Sequence, residues 1–310
     1  MKRLVLLAVT VATALTVSAQ QNPTGKSSTW KLGGTFSVMG GQTGTRNWAP
    51  AGSEKLTITG MANLNLFANK TWGKNSWETN LELAYALIKT TSQGFRKVDD
   101  KFDLYSKYNY AIKGRSGVGV VGSLRTQITN GYDYSESVKK RISGFFAPAF
   151  LTLSAGYQFH TKDRSFSLHA GPAARWVIVT NNPYSLRYQG GVKPDGSTER
   201  TLADLYNVDP ASKVRFNPGV FVSASYRKDV MKNVNWRSRL DINADFNQGN
   251  AKETDIYWTN MITMSVNKWL KVMYNFDLYH DRDIRMWGPS GNETRTQLKS
   301  ILGVGLGVGF

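Results

Sequence analysis

The sequence predicts an all-β protein, a transmembrane antiparallel up-and-down β-barrel of about twelve strands. Three observations predict it: long segments with a two-residue apolar period, the lack of any later apolar run long enough for a membrane helix, and tryptophans gathered at the expected strand ends. A strand with lipid on one face and a polar lumen on the other must place apolar side chains at alternate positions over ~9–11 residues. Soluble strands average only ~5–6 residues, so a sandwich would need unusually long ones.

At the N-terminus, Lys2 and Arg3 precede an apolar core from Leu4 to Val17, followed by small residues at Val17 and Ala19. This is the layout of a secretory signal peptide cleaved near Ala19 or Gln20. The expected organisation is therefore a signal peptide over 1–19, a short periplasmic segment over 20–29 and the barrel over 30–310. Cleavage removes two basic residues and lowers the formal charge from +17 to +15, which favours anionic partners. With no cysteine in the chain, a lipid-modified cysteine and disulfides are excluded. The mean hydropathy of −0.36 excludes a helical membrane protein.

The period is clearest at the C-terminus, where Leu298, Leu302, Val304, Leu306, Val308 and Phe310 share the even phase and Gly303, Gly305, Gly307 and Gly309 fill the odd one. The even phase recurs around Leu56–Leu66, Phe102–Ile112, Val214–Tyr226 and Val234–Phe246. Twelve strands are expected at about 30–39, 54–69, 76–90, 99–112, 117–129, 144–160, 164–179, 212–227, 232–247, 253–267, 269–280 and 297–310. Short connections follow the even-numbered strands and mostly longer ones the odd-numbered strands, which places both termini in the periplasm. Trp30, Trp72, Trp77, Trp236 and Trp269 then fall at periplasmic ends, and Trp48, Trp176, Trp258 and Trp287 at or near outer ends. Headgroup level is where indole rings settle.

Gly117-Val118-Gly119-Val120-Val121-Gly122 matches the dinucleotide pattern G-x-G-x-x-G, but it lies within a strand and no helix follows. Lys113-Gly114-Arg115-Ser116 reads as a tight turn. The three histidines, His160, His169 and His280, form no metal motif, and neither a metal nor a cofactor is expected. Ser167 and His169 are the nearest approach to a catalytic pair, and two polar residues at i and i+2 on a lumen face arise readily by chance.

With the even phase toward lipid, the odd residues Asp103, Lys107, Arg125, Arg215, Arg237, Arg239, Asp241, Asp245, Lys271 and Asp277 point inward. The apolar phase of the third strand is odd, so Glu78 and Glu82 also face the lumen. Charges of both signs in one narrow barrel either pair across it and close it or line a hydrated path. Around the expected periplasmic turns, ten basic residues, among them Lys70, Lys113, Arg227 and Lys232, stand against Asp163 and Asp229. Such a ring suits anionic headgroups or an acidic envelope partner, or it merely keeps the turns solvated. No basic–aromatic groove accompanies it, so nucleic acid is not an expected partner. The longest loop, 180–211, carries Tyr184, Arg187, Tyr188, Lys193, Arg200, Asp204 and Tyr206 as candidate contacts to a ligand or partner; a cover without a ligand is the competing reading.

The stretches Asn47–Gly52, Trp72–Leu81 and Val98–Tyr108 resemble a family of uncharacterised outer-membrane proteins common in Bacteroidota, and the resemblance is strongest over 47–130. It implies an outer-membrane barrel and no activity, since the family carries no established functional residues. The terminal Phe310 resembles the last residue of strands read by the outer-membrane assembly machinery. The expected function is a structural or accessory envelope component or a narrow pore for small solutes in the bacterial outer membrane, with membrane lipids as partners. The protein is not expected to be an enzyme; the alternative is a barrel-borne enzyme acting on envelope lipids.

Overall fold

The computed structural model describes residues 29–44, 56–90, 94–133, 140–180, 191–193, 195–246, 254–288 and 293–310. The expected signal peptide and periplasmic segment up to residue 28 lie outside them, as do Trp48 and loop residues Tyr184, Arg187 and Tyr188.

Twelve long strands pair in a closed barrel: β1 (Lys31–Gly44), β2 (Leu56–Trp72), β3 (Asn75–Thr90), β4 (Gly94–Lys113), β5 (Ser116–Thr126), β8 (Ala149–His160), β9 (Phe166–Ile178), β10 (Val214–Met231), β11 (Val234–Asp245), β12 (Thr254–Ser265), β13 (Leu270–His280) and β14 (Gln297–Gly309). A separate small hairpin, β6 (Gly131–Asp133) and β7 (Lys140–Ser143), sits between β5 and β8. Every barrel pairing is antiparallel between neighbours, and β1 with β14 completes the ring. Phe310 helps to fasten that seam: its N–H donates to the Gly34 carbonyl at 3.0 Å, and Gly34 N–H donates to the Phe310 carbonyl at 2.8 Å. Closure satisfies every strand edge, which an open sheet cannot do.

The connections divide by end. At the turn end, Gly73-Lys74 and Gly114-Arg115 link strands in two residues, and both glycines adopt positive φ (54° and 58°) as tight hairpins require. The opposite, loop end carries the long connections, except that only residues 91–93 separate β3 from β4. Three expectations on strand ends shift by five residues, and the first is that β1 runs on to Gly44 instead of 39. β8 starts at Ala149 instead of 144, because 144–148 form an irregular segment closing against Thr126 and Thr180. β4 begins at Gly94, ahead of the expected 99, through a register shift opposite Ala86 and Leu87 that brings Val98 to the surface.

The outer wall carries the apolar phase: Leu32, Phe36, Val38, Ile58, Val118, Val120, Leu302, Val304, Leu306 and Val308 are exposed. At the turn end Trp30, Trp77 and Tyr108 stack edge to face within 6.5 Å, and Trp176 meets Phe216 near the loop end. Inside, Met39, Met61, Ala86 and Met273 fill one side of the lumen. The glycines of β14 make room for them, since a Cβ on Gly303 would lie 3.0 Å from that of Met39.

Candidate functional site

The inward phase assembles a charged waist across the lumen. Asp103 on β4 stands directly opposite Arg125 on β5 and accepts from its Nε at 3.1 Å. It also pairs with Arg239 on β11, five strands further round the ring. Arg125 and Arg239 both reach Asp241, the latter through Nε at 3.1 Å, and Asp241 accepts a further bond from Ser223 Oγ at 2.7 Å. Each guanidinium also covers an aromatic face, Arg239 over Tyr105 at 5.0 Å and Arg125 over Tyr257 at 4.9 Å. Beside this quartet, Lys101 binds Glu82 at 3.0 Å, and Lys299 bridges Asp277 at 2.7 Å to Asp99 at 2.9 Å. Pairs between neighbouring strands brace the wall, whereas Asp103–Arg239 and Lys299–Asp99 span the bore.

Two cavities flank the waist. The turn-end cavity is about 560 Å³ and is lined by Lys31, Asn63, Glu78, Lys107, Arg227 and Arg237 among others. The loop-end cavity is about 470 Å³ and is lined by Lys97, Thr126, Phe150, Tyr206 and Met286 among others. Asp99, Lys101 and Lys299 border both.

Above the loop-end cavity lies a cap. Residues 195–213 of the connection from β9 to β10 fold inward, and their one-turn helix α1 (Leu202–Leu205) buries Leu202, Ala203 and Leu205 with Tyr206 and Val208 against Ala147, Val177 and Val179. Thr201 caps α1 through a reciprocal capping box with Asp204. The buried Tyr206 hydroxyl donates to the Ile142 carbonyl at 2.7 Å, and burial raises its pKa. A second ionic cluster supports the cap. Arg175 on β9 pairs with Asp255 and with Asp281, the latter at 2.9 Å, while Arg215 pairs with Asp283. Burial first, and then the charge of Asp255, pushes the Asp281 carboxyl up to about 7. Burial acts upward on Asp283 too, but the hydrogen bond and charge of Arg215 hold it below the usual range.

Of the lumen residues expected from sequence, the structure brings Asp103, Arg125, Arg239 and Asp241 into the quartet and sets Glu82 and Asp277 beside it. Glu78 and Lys107 pair at 3.1 Å nearer the turn end. Arg237 donates to Asn65 Oδ1 at 2.7 Å, and Lys271 to Ser265 Oγ at 2.7 Å. Arg215 belongs to the cap cluster, and Asp245 closes the loop end of β11 opposite Gly219. Sequence reasoning missed Lys101, Arg175, Asp255 and Lys299, although each carries the same odd phase on an expected strand. Asp281 and Asp283 extend that phase past the end of β13, where no strand was expected. In the long loop, Lys193 is exposed, whereas Arg200 is half-buried and donates to the Arg285 carbonyl at 2.7 Å.

Ser167 and His169 do not meet. Ser167 Oγ accepts from Lys107 Nζ at 3.2 Å, and buried His169 lies with Nε2 2.8 Å from Ser154 Oγ on β8. The Ser154 hydroxyl donates to the Pro172 carbonyl at 2.9 Å, so the imidazole is its donor and does not serve it as a base. Asp255, Asp281 and Asp283 place carboxylate oxygens within 4.8 Å of one another, but two arginines already occupy them.

No curated protein matches the chain in sequence. Among solved structures it is similar to an outer membrane channel from Pseudomonas putida F1, at 9% identity and a TM-score of 0.38, over 94% of this chain and 100% of that one. It is also similar to the translocator domain of the autotransporter NalP from Neisseria meningitidis, at 7% identity and 0.34, over 89% and 87% of the two chains. The NanC porin matches at 10% identity and 0.34, over 88% and 98%. Residues 41–132, which contain β2–β5 and half of the waist quartet, match the family model described as "Protein of unknown function (DUF3078)".

Proposed function

We propose that this chain is an outer-membrane barrel forming a narrow channel for small solutes, closed at rest by its waist. The observation that carries this reading is the hourglass lumen: cavities on both sides of a septum whose contacts across the bore are ion pairs, set beside the apolar clusters of Met39, Met61, Ala86 and Met273 and of Tyr105, Val121 and Phe221. An ion-paired septum separates when its partners change protonation or meet a competing ion, whereas an apolar core has no such response. The exposed belt of Leu, Val, Ile and Phe on the wall supports a lipid setting, because so large an apolar surface has no stable place in water. Export through a signal peptide over 1–19 and recognition of Phe310 by the assembly machinery complete the proposal; the stretches that resemble a Bacteroidota family support that envelope.

Planar bilayers test it. Purified wild-type protein is expected to show rare, small conductance steps, and Asp103→Asn combined with Arg239→Gln to show frequent larger ones. A variant as silent as the wild type, while still migrating differently in detergent gels before and after boiling, contradicts the channel and leaves a structural envelope barrel.

A further inference from the structure

Charge in the turn-end cavity does not balance. Arg227 on β10 and Arg237 on β11 stand directly opposite each other in the register and face the same lumen. Like charges so placed repel and lower the stability of the sheet. Among the described residues neither has a carboxylate at salt-bridge distance. The acidic residues nearby are engaged elsewhere: Glu78 with Lys107 at 3.1 Å, Glu82 with Lys101 at 3.0 Å, and Asp229 with the Asn235 amide at 2.8 Å. Arg237 is held by the neutral oxygens of Asn65 (2.7 Å) and Asn235 (3.3 Å), and Arg227 reaches across the barrel to stack 5.4 Å over Phe67. These contacts orient the two guanidinium groups without neutralising them.

An independent observation points into the same space. Asn63, 5% exposed, lines the cavity, and neither its amide nitrogen nor its oxygen is hydrogen-bonded within the protein among the described residues. A buried amide with both ends unmet costs free energy unless something in the cavity meets them.

We propose that the turn-end cavity binds a small oxyanion, of the phosphate or carboxylate class, between Arg227 and Arg237, with the Asn63 amide donating to it. Guanidinium forks suit such oxygens, and a bound anion turns the repelling pair into a clamp. The proposal deepens the channel reading by naming the class of solute, and the site itself requires only the cavity.

Inorganic phosphate is the probe. In titration calorimetry of the folded barrel in neutral detergent and low chloride, the wild type is expected to bind phosphate saturably. Arg227→Gln and Arg237→Gln should each weaken binding about tenfold. In phosphate-free buffer the same substitutions should raise the thermal midpoint, because they relieve the cross-strand repulsion; residues that merely held the wall together would lower it. No saturable binding by the wild type, or an unchanged Kd in the double variant, overturns the proposal. Should the double variant not assemble, the wild-type titration and Asn63→Ala, expected to weaken binding several-fold, decide it. A phospholipid headgroup carries the same chemistry, so short-chain phosphatidylglycerol is titrated in parallel; binding of that lipid without binding of phosphate also overturns the site. Phosphate binding by a barrel silent in bilayers removes the channel and keeps the site, and conductance without binding does the reverse.

Discussion

The two halves of the lumen handle the same kind of side chain differently. Toward the loop end, arginine and lysine are matched by carboxylates: Arg125 and Arg239 share Asp103 and Asp241, Arg175 holds Asp255 and Asp281, and an apolar cap covers the cluster. Toward the turn end, Arg227 and Arg237 face a cavity of about 560 Å³ with neutral oxygens and an aromatic ring as neighbours. Closure and surplus charge thus lie at different depths. The bore is shut where desolvation makes an unpaired charge expensive, and charge is left uncompensated where solvent still reaches it.

The largest expected effect comes from breaking that contrast at the waist. Arg239→Ala leaves Asp103 and Asp241 to share Arg125, and an uncompensated buried carboxylate costs about 3–5 kcal/mol. The denaturation midpoint in urea is expected to fall sharply, and bilayer conductance to rise. Arg237→Ala, one inward position away on the same strand, removes a charge that no carboxylate among the described residues meets. It is expected to leave the midpoint unchanged or raise it. Equal losses at the two positions would erase the distinction between the halves.

Next in size is the cap. Leu205 is 2% exposed in the cluster with Val177, Tyr206 and Val208, and Leu→Ala in such a site costs about 2–5 kcal/mol. Because Tyr206, Arg200 and Leu205 hydrogen-bond to Ile142 and Arg285, which lie outside the twelve barrel strands, the loss should be local. Amide exchange is expected to accelerate over 202–208 and to stay slow in β2–β5. Acceleration in both would mean that the cap is an integral part of the barrel's cooperative unit.

The barrel itself was legible in the sequence because a wall that is apolar outside and polar inside forces a period of two. Leu298 to Val308 is exposed at each even position that carries an apolar residue, as the alternation requires. The waist was legible in part for the same reason, since phase alone puts Asp103 and Asp241 inside. Phase does not say which charges meet across the bore, because Asp103 and Arg239 lie 136 residues apart and their contact depends on ring closure. The cap was less legible. The segment 191–213 has no periodicity long enough to read, and the short α1 is held by Thr201 and by burial, not by helix propensity. Nor was the β6–β7 hairpin anticipated, as three- and four-residue strands leave too little pattern.

The smallest effect expected is that of pH on the ionic support of the cap. Asp281, just beyond β13, is pushed from an ordinary 3.8 to about 7 in the folded protein, by burial and then by the neighbouring Asp255. A carboxyl with a raised folded pKa binds more protons folded than unfolded between those two values. Its contribution to stability is therefore complete below about 3.8 and is lost as pH rises through about 7. Asp283 works the other way: held low by Arg215, it contributes above the ordinary carboxyl pKa and loses that contribution as pH falls. Asp283 is already ionised in both states by pH 5 and adds no slope above it, so between pH 5 and pH 8 the change follows Asp281, with the cap more stable at pH 5 than at pH 8. Amide exchange over 202–208 at the two pH values measures it, and Asp281→Asn should flatten the difference. A cap whose exchange is the same at both pH values would mean that Arg175 keeps Asp281 ionised throughout, making the loop-end half a site where ion pairing outweighs burial.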